Sequence, residues 1–365
     1  MSPAPRRAGG RAAPVPPLLL ELLAARAPSG AEQDAREIWL AAAAEFAATS
    51  VDRIGSARAS VAAKGRGEHK RIILVGHIDE IGLLVTHIDD QGYLWFAPVG
   101  GWDPQVLVGQ RVVVKSAGGE LRGVIGRKPL HLLKAEERKK VPELRELHID
   151  IGARDGAQAR KMARVGDVAV IDSGPLELPN RRLVSRALDN RLGCYVALEA
   201  ARIVAQAGGG EWEVIAVAAV QEEIDLGGST TSAFSLEPDA AVVIDVTHAT
   251  DAPGVDPKSA GPHELGTGPV VGRGTTLSGP LGDVLEAAGK AGRIPHTVAA
   301  YAESTWTDTD GIYKSRGGIP TALVEIPLRY MHSPTELVEV RDVENAAKLL
   351  GAAALRLRRS TDLSP

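Results

Sequence analysis

Arg71-Ile72-Ile73-Leu74-Val75-Gly76-His77-Ile78-Asp79-Glu80 decides how the chain is read. A short continuous apolar run closed by glycine is the pattern of a strand buried on both faces of a sheet. Its carboxyl end delivers a histidine and two acids. The same apolar texture recurs from Glu213 to Val220, Ala240 to Val246 and Thr321 to Ile326, while Arg191 to Gln206, Leu281 to Ala291 and Val343 to Leu355 carry helical spacing. Strands alternating with helices predict an α/β fold, with a mixed, largely parallel sheet flanked by helices. Ahead of the first strand, Leu18 to Ala25 and Glu32 to Ala48 predict two helices separated by the turn Pro28-Ser29-Gly30.

Between Ile81 and about Leu178 the texture changes to short β-rich pieces punctuated by glycine: Leu83 to Ile88, Tyr93 to Pro98, Gln110 to Ser116, Gly123 to Arg127 and Asp167 to Asp172. This predicts an all-β inserted region, barrel-like, over 81–180. The α/β domain then consists of 16–80 and 181–365. Residues 1–15, rich in Pro, Arg, Gly and Ala, are expected to be a disordered leader. The charged stretch Lys134 to Lys140 reads as a solvated loop of the insertion.

At 365 residues the chain is long enough for one large domain with an insertion. A formal net charge of -4 offers no electrostatic footprint for nucleic acid or an anionic membrane surface. The single cysteine, Cys194, excludes an internal disulfide framework and fits a reducing compartment, so a cytoplasmic location is expected. Arg6-Arg7 raises the question of a twin-arginine signal, but Pro14, Pro16 and Pro17 interrupt the apolar run that follows, and Glu21 and Arg26 break it. No stretch approaches the roughly 20 apolar residues of a membrane span. Nucleophile elbows, phosphate-binding loops and dinucleotide fingerprints are missing from strand-to-helix contexts.

The chemistry gathers where open α/β sheets place ligands, at the carboxyl ends of strands. His77 follows the first strand, with Asp79 able to hold its second ring nitrogen. Asp189 stands just before a helix, where it reads either as a helix cap or as a carboxylate bridging two cations. Glu222-Glu223 closes another buried strand. Two adjacent carboxylates there repel each other, and a cation bound by one leaves the other free as a base. Asp245 ends a third strand and His332 follows a fourth. Cys194 reads as core, His248 as an indirect or structural residue, and the other histidines as surface or core residues.

In chain order, Gly76-His77-x-Asp79-Glu80-Ile81-Gly82, Leu188-Asp189-Asn190-Arg191-x-Gly193, Glu222-Glu223 and Arg329-Tyr330-x-His332-Ser333-Pro334 resemble the tetrahedral (TET) aminopeptidases, metallopeptidase family forty-two, some of which are labelled endoglucanases. The resemblance spans Leu18 to Leu355 and takes in Gly100-Gly101-Trp102, Lys128-Pro129-Leu130-His131 and Ile149-Asp150-Ile151-Gly152-Ala153. It implies two divalent cations per subunit, zinc foremost with cobalt or manganese as alternatives. One would be held by His77, Asp189 and Asp245, the other by Asp189, Glu223 and His332. Asp79 would orient His77, and Glu222 would be the general base on a metal-bridging water during release of N-terminal residues from short peptides. The resemblance also implies that the insertion forms dimers and that dimers assemble into a dodecamer. Two segments depart from the pattern: Asp225-Leu226-Gly227-Gly228 after the glutamate pair, and Thr305-Trp306 with Thr309-Asp310 around Thr307-Asp308. A deacylase, a carbohydrate hydrolase and a non-catalytic assembly protein are the rival readings.

Overall fold

A computed structural model describes residues 14–364. The expected leader falls mostly outside that range, and Val15 packs into the main core. Four strands, Glu213–Ala219, Arg71–His77, Ala240–His248 and Thr321–Leu328, lie side by side in that order and run parallel. Ala57–Val61 and Ala48–Val51 extend the sheet antiparallel on one side, Val270–Gly274 and Thr297–Tyr301 on the other, to give eight strands.

The central strands read as unbroken apolar runs because both faces are covered. Ile72 and Leu74 pack into one core with the helices Pro17–Ala24, Leu188–Gln206, Gly279–Gly292 and Val340–Ala354. Ile73 and Val75 point the other way, into a second core with Ala233 and Ile312. Alternation of period two is present, but with both sides buried it leaves no polar mark in the sequence.

The second predicted helix stops earlier than expected, spanning Gln33–Ala43, and Ala48–Val51 turns into an edge strand. Tertiary pairing with Ala57–Val61 overrides the helical propensity of the alanine-rich stretch. The insertion is not all-β. Its strands Gly82–Ile88, Leu94–Val99, His148–Asp150, Gly119–Gly126, Arg111–Ser116 and Val168–Ile171 close into a barrel in that order, yet it also carries the helices Pro104–Leu107 and Gly156–Met162. The latter is started by Asp155, whose side chain accepts from Gln158 N at 2.7 Å. Lys134 to Lys140 is exposed apart from half-buried Glu137, around a short 3-10 turn.

Two glycines set the depth at which the helix Leu188–Gln206 sits on the sheet. A Cβ on Gly76 would lie 2.3 Å from the backbone carbon of Gly193, and one on Gly193 would lie 2.5 Å from Ile244 O. Only hydrogen fits between these backbones. Beneath this contact, buried Glu80 pairs with Arg186 and with Arg191, 2.7 Å away, while Arg191 also donates to Leu22 O. The one carboxylate is shared by both guanidiniums, which also donate to the backbone carbonyls of Leu22 and Ala25, as burial of charge in a low dielectric favours.

Candidate metal centre

The parallel strands end on one edge of the sheet, and each predicted site residue reaches it by a different local device. His77 is the last residue of its strand, in register with Ala219. Two residues past Ala219, Gln221 adopts φ of 59°, which turns the chain into the short helix Glu222–Asp225. Asp79 fixes this turn. Its carboxylate accepts from the backbone N–H groups of Glu222 and Glu223, each at 3.2 Å, and from Ser29 Oγ at 2.6 Å. Asp189 stands in non-helical backbone (φ −76°, ψ 107°) just ahead of its helix and makes no capping bond, so it stays free to face the sheet edge. His332 lies in the left-handed region at φ 57°, uncommon for a side chain with a Cβ.

Six of the candidates, His77, Asp189, Glu222, Glu223, Asp245 and His332, converge on one cavity, with Asp79 behind His77. Asp189 Oδ1 lies 3.1 Å from His77 Nε2, and its Oδ2 lies 3.4 Å from His332 Nε2. His332 Nε2 is also 3.4 Å from Glu223 Oε1, and His77 Nε2 is 3.6 Å from Glu222 Oε2. Behind His77, Asp79 Oδ1 lies 3.5 Å from Nδ1. Ligand atoms of His77, Asp189 and Glu223, and those of His77, Glu222 and Asp245, fall within 4.8 Å of one another.

The group is short of positive charge. Burial, partly offset by His77 and reinforced by Asp308, Asp245 and Glu223, pushes Glu222 up to about 10. Burial likewise raises Glu223 and Asp245 above the carboxylate range. Burial works against a proton on His332, yet Asp189 and Glu223 lift it to about 11. At His77 burial is again outweighed, here by Glu222, Asp189 and Asp79. Protons shared among these groups stand where cations would serve better. Mixed imidazole and carboxylate donors suit zinc, cobalt or manganese.

Three acids that the sequence reading passed over belong to the surroundings. Glu336 is buried and accepts from Asp189 N at 3.1 Å and from His332 N at 3.0 Å. Its signal was an acid four residues beyond His332. Asp308 is buried beside the cluster, and burial pushes it up to about 6. Glu325 is the only charge in the fully buried strand Thr321–Leu328, and a lone acid in an apolar strand was the available clue. Asp225 is exposed and does not line the cavity. Cys194 is core, its thiol donating to Gly76 O at 3.2 Å. The cavity over the cluster holds about 370 Å3 and continues past Thr247 and Tyr301 to Trp306.

A parallel sheet with clustered acids and imidazoles at its carboxyl edge, and a barrel let into the chain, is an architecture shared with aminopeptidases. A TET aminopeptidase from a marine sediment Thaumarchaeota archaeon superposes with a TM-score of 0.88 at 35% identity, covering 93% of this chain and 96% of that one. Residues 59–349 match the family described as M42 glutamyl aminopeptidase, and the chain belongs to that family. The lysyl aminopeptidase of Pyrococcus furiosus is 33% identical over 86% of this chain and 88% of its own length. The TET1 peptidase of Pyrococcus horikoshii, described as able to assemble into a tetrahedron or a large octahedral shell, matches with a TM-score of 0.81 at 31% identity, over 93% of this chain and 99% of that one.

Proposed function

We propose that the protein is a two-cation aminopeptidase that removes N-terminal residues from short peptides. The carrying observation is the pose of Asp189, whose two carboxylate oxygens face different imidazoles, His77 and His332. Asp189 would be shared, with His77 and Asp245 completing one cation's ligands and Glu223 and His332 the other's. Zinc is the first choice. When bound, such a pair polarises the scissile carbonyl and makes water a nucleophile near neutral pH.

Glu222 is the acid left over for proton transfer. It takes a proton from the attacking water and passes it to the leaving amine, a role worth about 10²–10⁴ in rate. Asp79 acts through others, holding the Glu222–Glu223 turn and backing His77. The sugar-cleaving reading lacks a separate acid and nucleophile pair, because the clustered acids are taken up by ligation and the base role. The names borne by similar proteins, among them a dodecamer and a tetrahedral assembly, also support a homo-oligomer, and we propose that dimers built through the barrel make up a dodecamer, in a cytoplasmic setting.

The test is Glu222→Gln. Peptide turnover should fall by about 10²–10⁴ while elemental analysis still finds two cations per chain. Full turnover in that variant would remove Glu222 from the mechanism. Loss of a cation would make it a ligand instead.

A further inference from the structure

The family's description and the Pyrococcus furiosus relative name opposite charges, glutamyl and lysyl, so neither indicates which N-terminal residue this chain accepts. The cavity does. Away from the cluster it is lined by Thr247, Tyr301, Trp306 and Glu325. Glu325 stands in register with Asp245 on the neighbouring strand, but its carboxyl accepts a hydrogen bond from the Tyr301 hydroxyl, which comes from the outermost strand of the sheet. The carboxyl is thus tied to the outermost strand by a phenol that also lies near Thr247 and Asp245. It is 3% exposed, and Tyr301 is the only group that eases its burial.

We infer that this lobe receives the side chain of the substrate's N-terminal residue and selects a basic one, lysine or arginine. The inference rests on the aminopeptidase reading above. A carboxyl buried against one phenol has an unmet demand for positive charge, and an ammonium or guanidinium group entering the lobe meets it. No lysine or arginine lines the cavity among the described residues, and outside the cluster His248 is its one basic side chain, so an acidic side chain brought to Glu325 would face a second acid. At the mouth, Trp306 is 89% exposed in a left-handed conformation, with its backbone N–H donating to Asp310 at 2.8 Å. With its backbone held there, the exposed indole offers a flat apolar surface to the methylene stem of a long side chain. On this reading the substrate's α-ammonium group, two bonds from the carbonyl under attack, would sit beside Asp189 and Glu223 and leave Glu325 to the side chain.

The experiment uses the full chain loaded with zinc or cobalt and a set of lysyl, arginyl, leucyl and glutamyl reporter substrates. The lysyl and arginyl reporters should show the highest kcat/KM. Glu325→Gln, which keeps the shape and an acceptor for Tyr301, should lower the lysyl-to-leucyl ratio by about ten- to a hundredfold. An unchanged ratio overturns the inference, as does a wild-type preference for leucyl or glutamyl reporters. Equal loss on every reporter would assign Glu325 to the α-ammonium group and overturn the side-chain assignment. Should Glu325→Gln fail to melt cooperatively, calorimetric binding of free L-lysine and L-leucine to the wild type decides the matter. Lysine should bind about tenfold tighter, and equal binding overturns the inference. Absence of turnover on all reporters with two cations bound would be the distinct failure of the aminopeptidase reading, and the same calorimetry still reads the pocket.

Discussion

Glu336 shows how a residue that touches no substrate can control a site. Its two oxygens accept the backbone N–H groups of Asp189 and His332, the proposed shared ligand and the proposed ligand held at positive φ. A glutamine offers one oxygen and one N–H donor, so one of these bonds must be lost. Glu336→Gln should weaken the looser-bound cation about 10–100-fold, read by metal titration against a competing chelator. Unchanged affinity would reduce Glu336 to a structural acid. Glu325 carries a second expectation. Its folded value of about 8 lies above the ordinary carboxyl value of 4.5 because burial penalises the charge. A raised acid stabilises the fold fully below its unfolded value and loses that contribution as pH rises through the folded one. The melting temperature of the wild type relative to Glu325→Gln should therefore fall between about pH 4.5 and 8. A flat difference would show that the carboxyl is solvated.

At the scale of elements, the spacing between helix and sheet carries the site. Asp189 reaches the cluster only because its helix lies close enough for Gly76 and Gly193 to meet backbone to backbone. In Gly193→Ala the new methyl would collide with Asn190 Oδ1 at 2.4 Å and with Ile244 O, and the helix must lift. That overpacking should cost about 1–3 kcal/mol in denaturant unfolding, and cation affinity should drop with it because Asp189 moves away from His77. Wild-type stability together with wild-type metal affinity would show that the close approach is dispensable. The barrel follows a different logic: closure removes its strand edges, and the helix Gly156–Met162 packs Ala159 into its core. Texture alone revealed strands there but not these helices, which are short and begin at an Asp cap rather than with a long apolar stripe.

On the proposed function, cations at the cluster would supply part of the whole molecule's stability. Glu222, Glu223, Asp245 and Glu336 are crowded acids that burial drives upward, and without cations they must hold protons or repel. Ions that bind the folded chain and not the unfolded one add about 4 kcal/mol per site at roughly a thousand times Kd. A chelator should therefore lower the melting temperature by about 5–10 °C, with zinc or cobalt restoring it. No change in melting would speak against a built cation site. What the sequence by itself determined was the identity of the six candidates and the alternation of strands and helices, because strand-end acids, histidines and apolar runs are local signals. It left open whether Asp189 caps a helix or faces a cation, and it passed over Glu325 and Glu336. Tertiary structure alone turns Asp189 toward His77 and His332 and gives both acids their surroundings, because distant strands bring Tyr301, or the backbone of Asp189 and His332, within hydrogen-bonding reach.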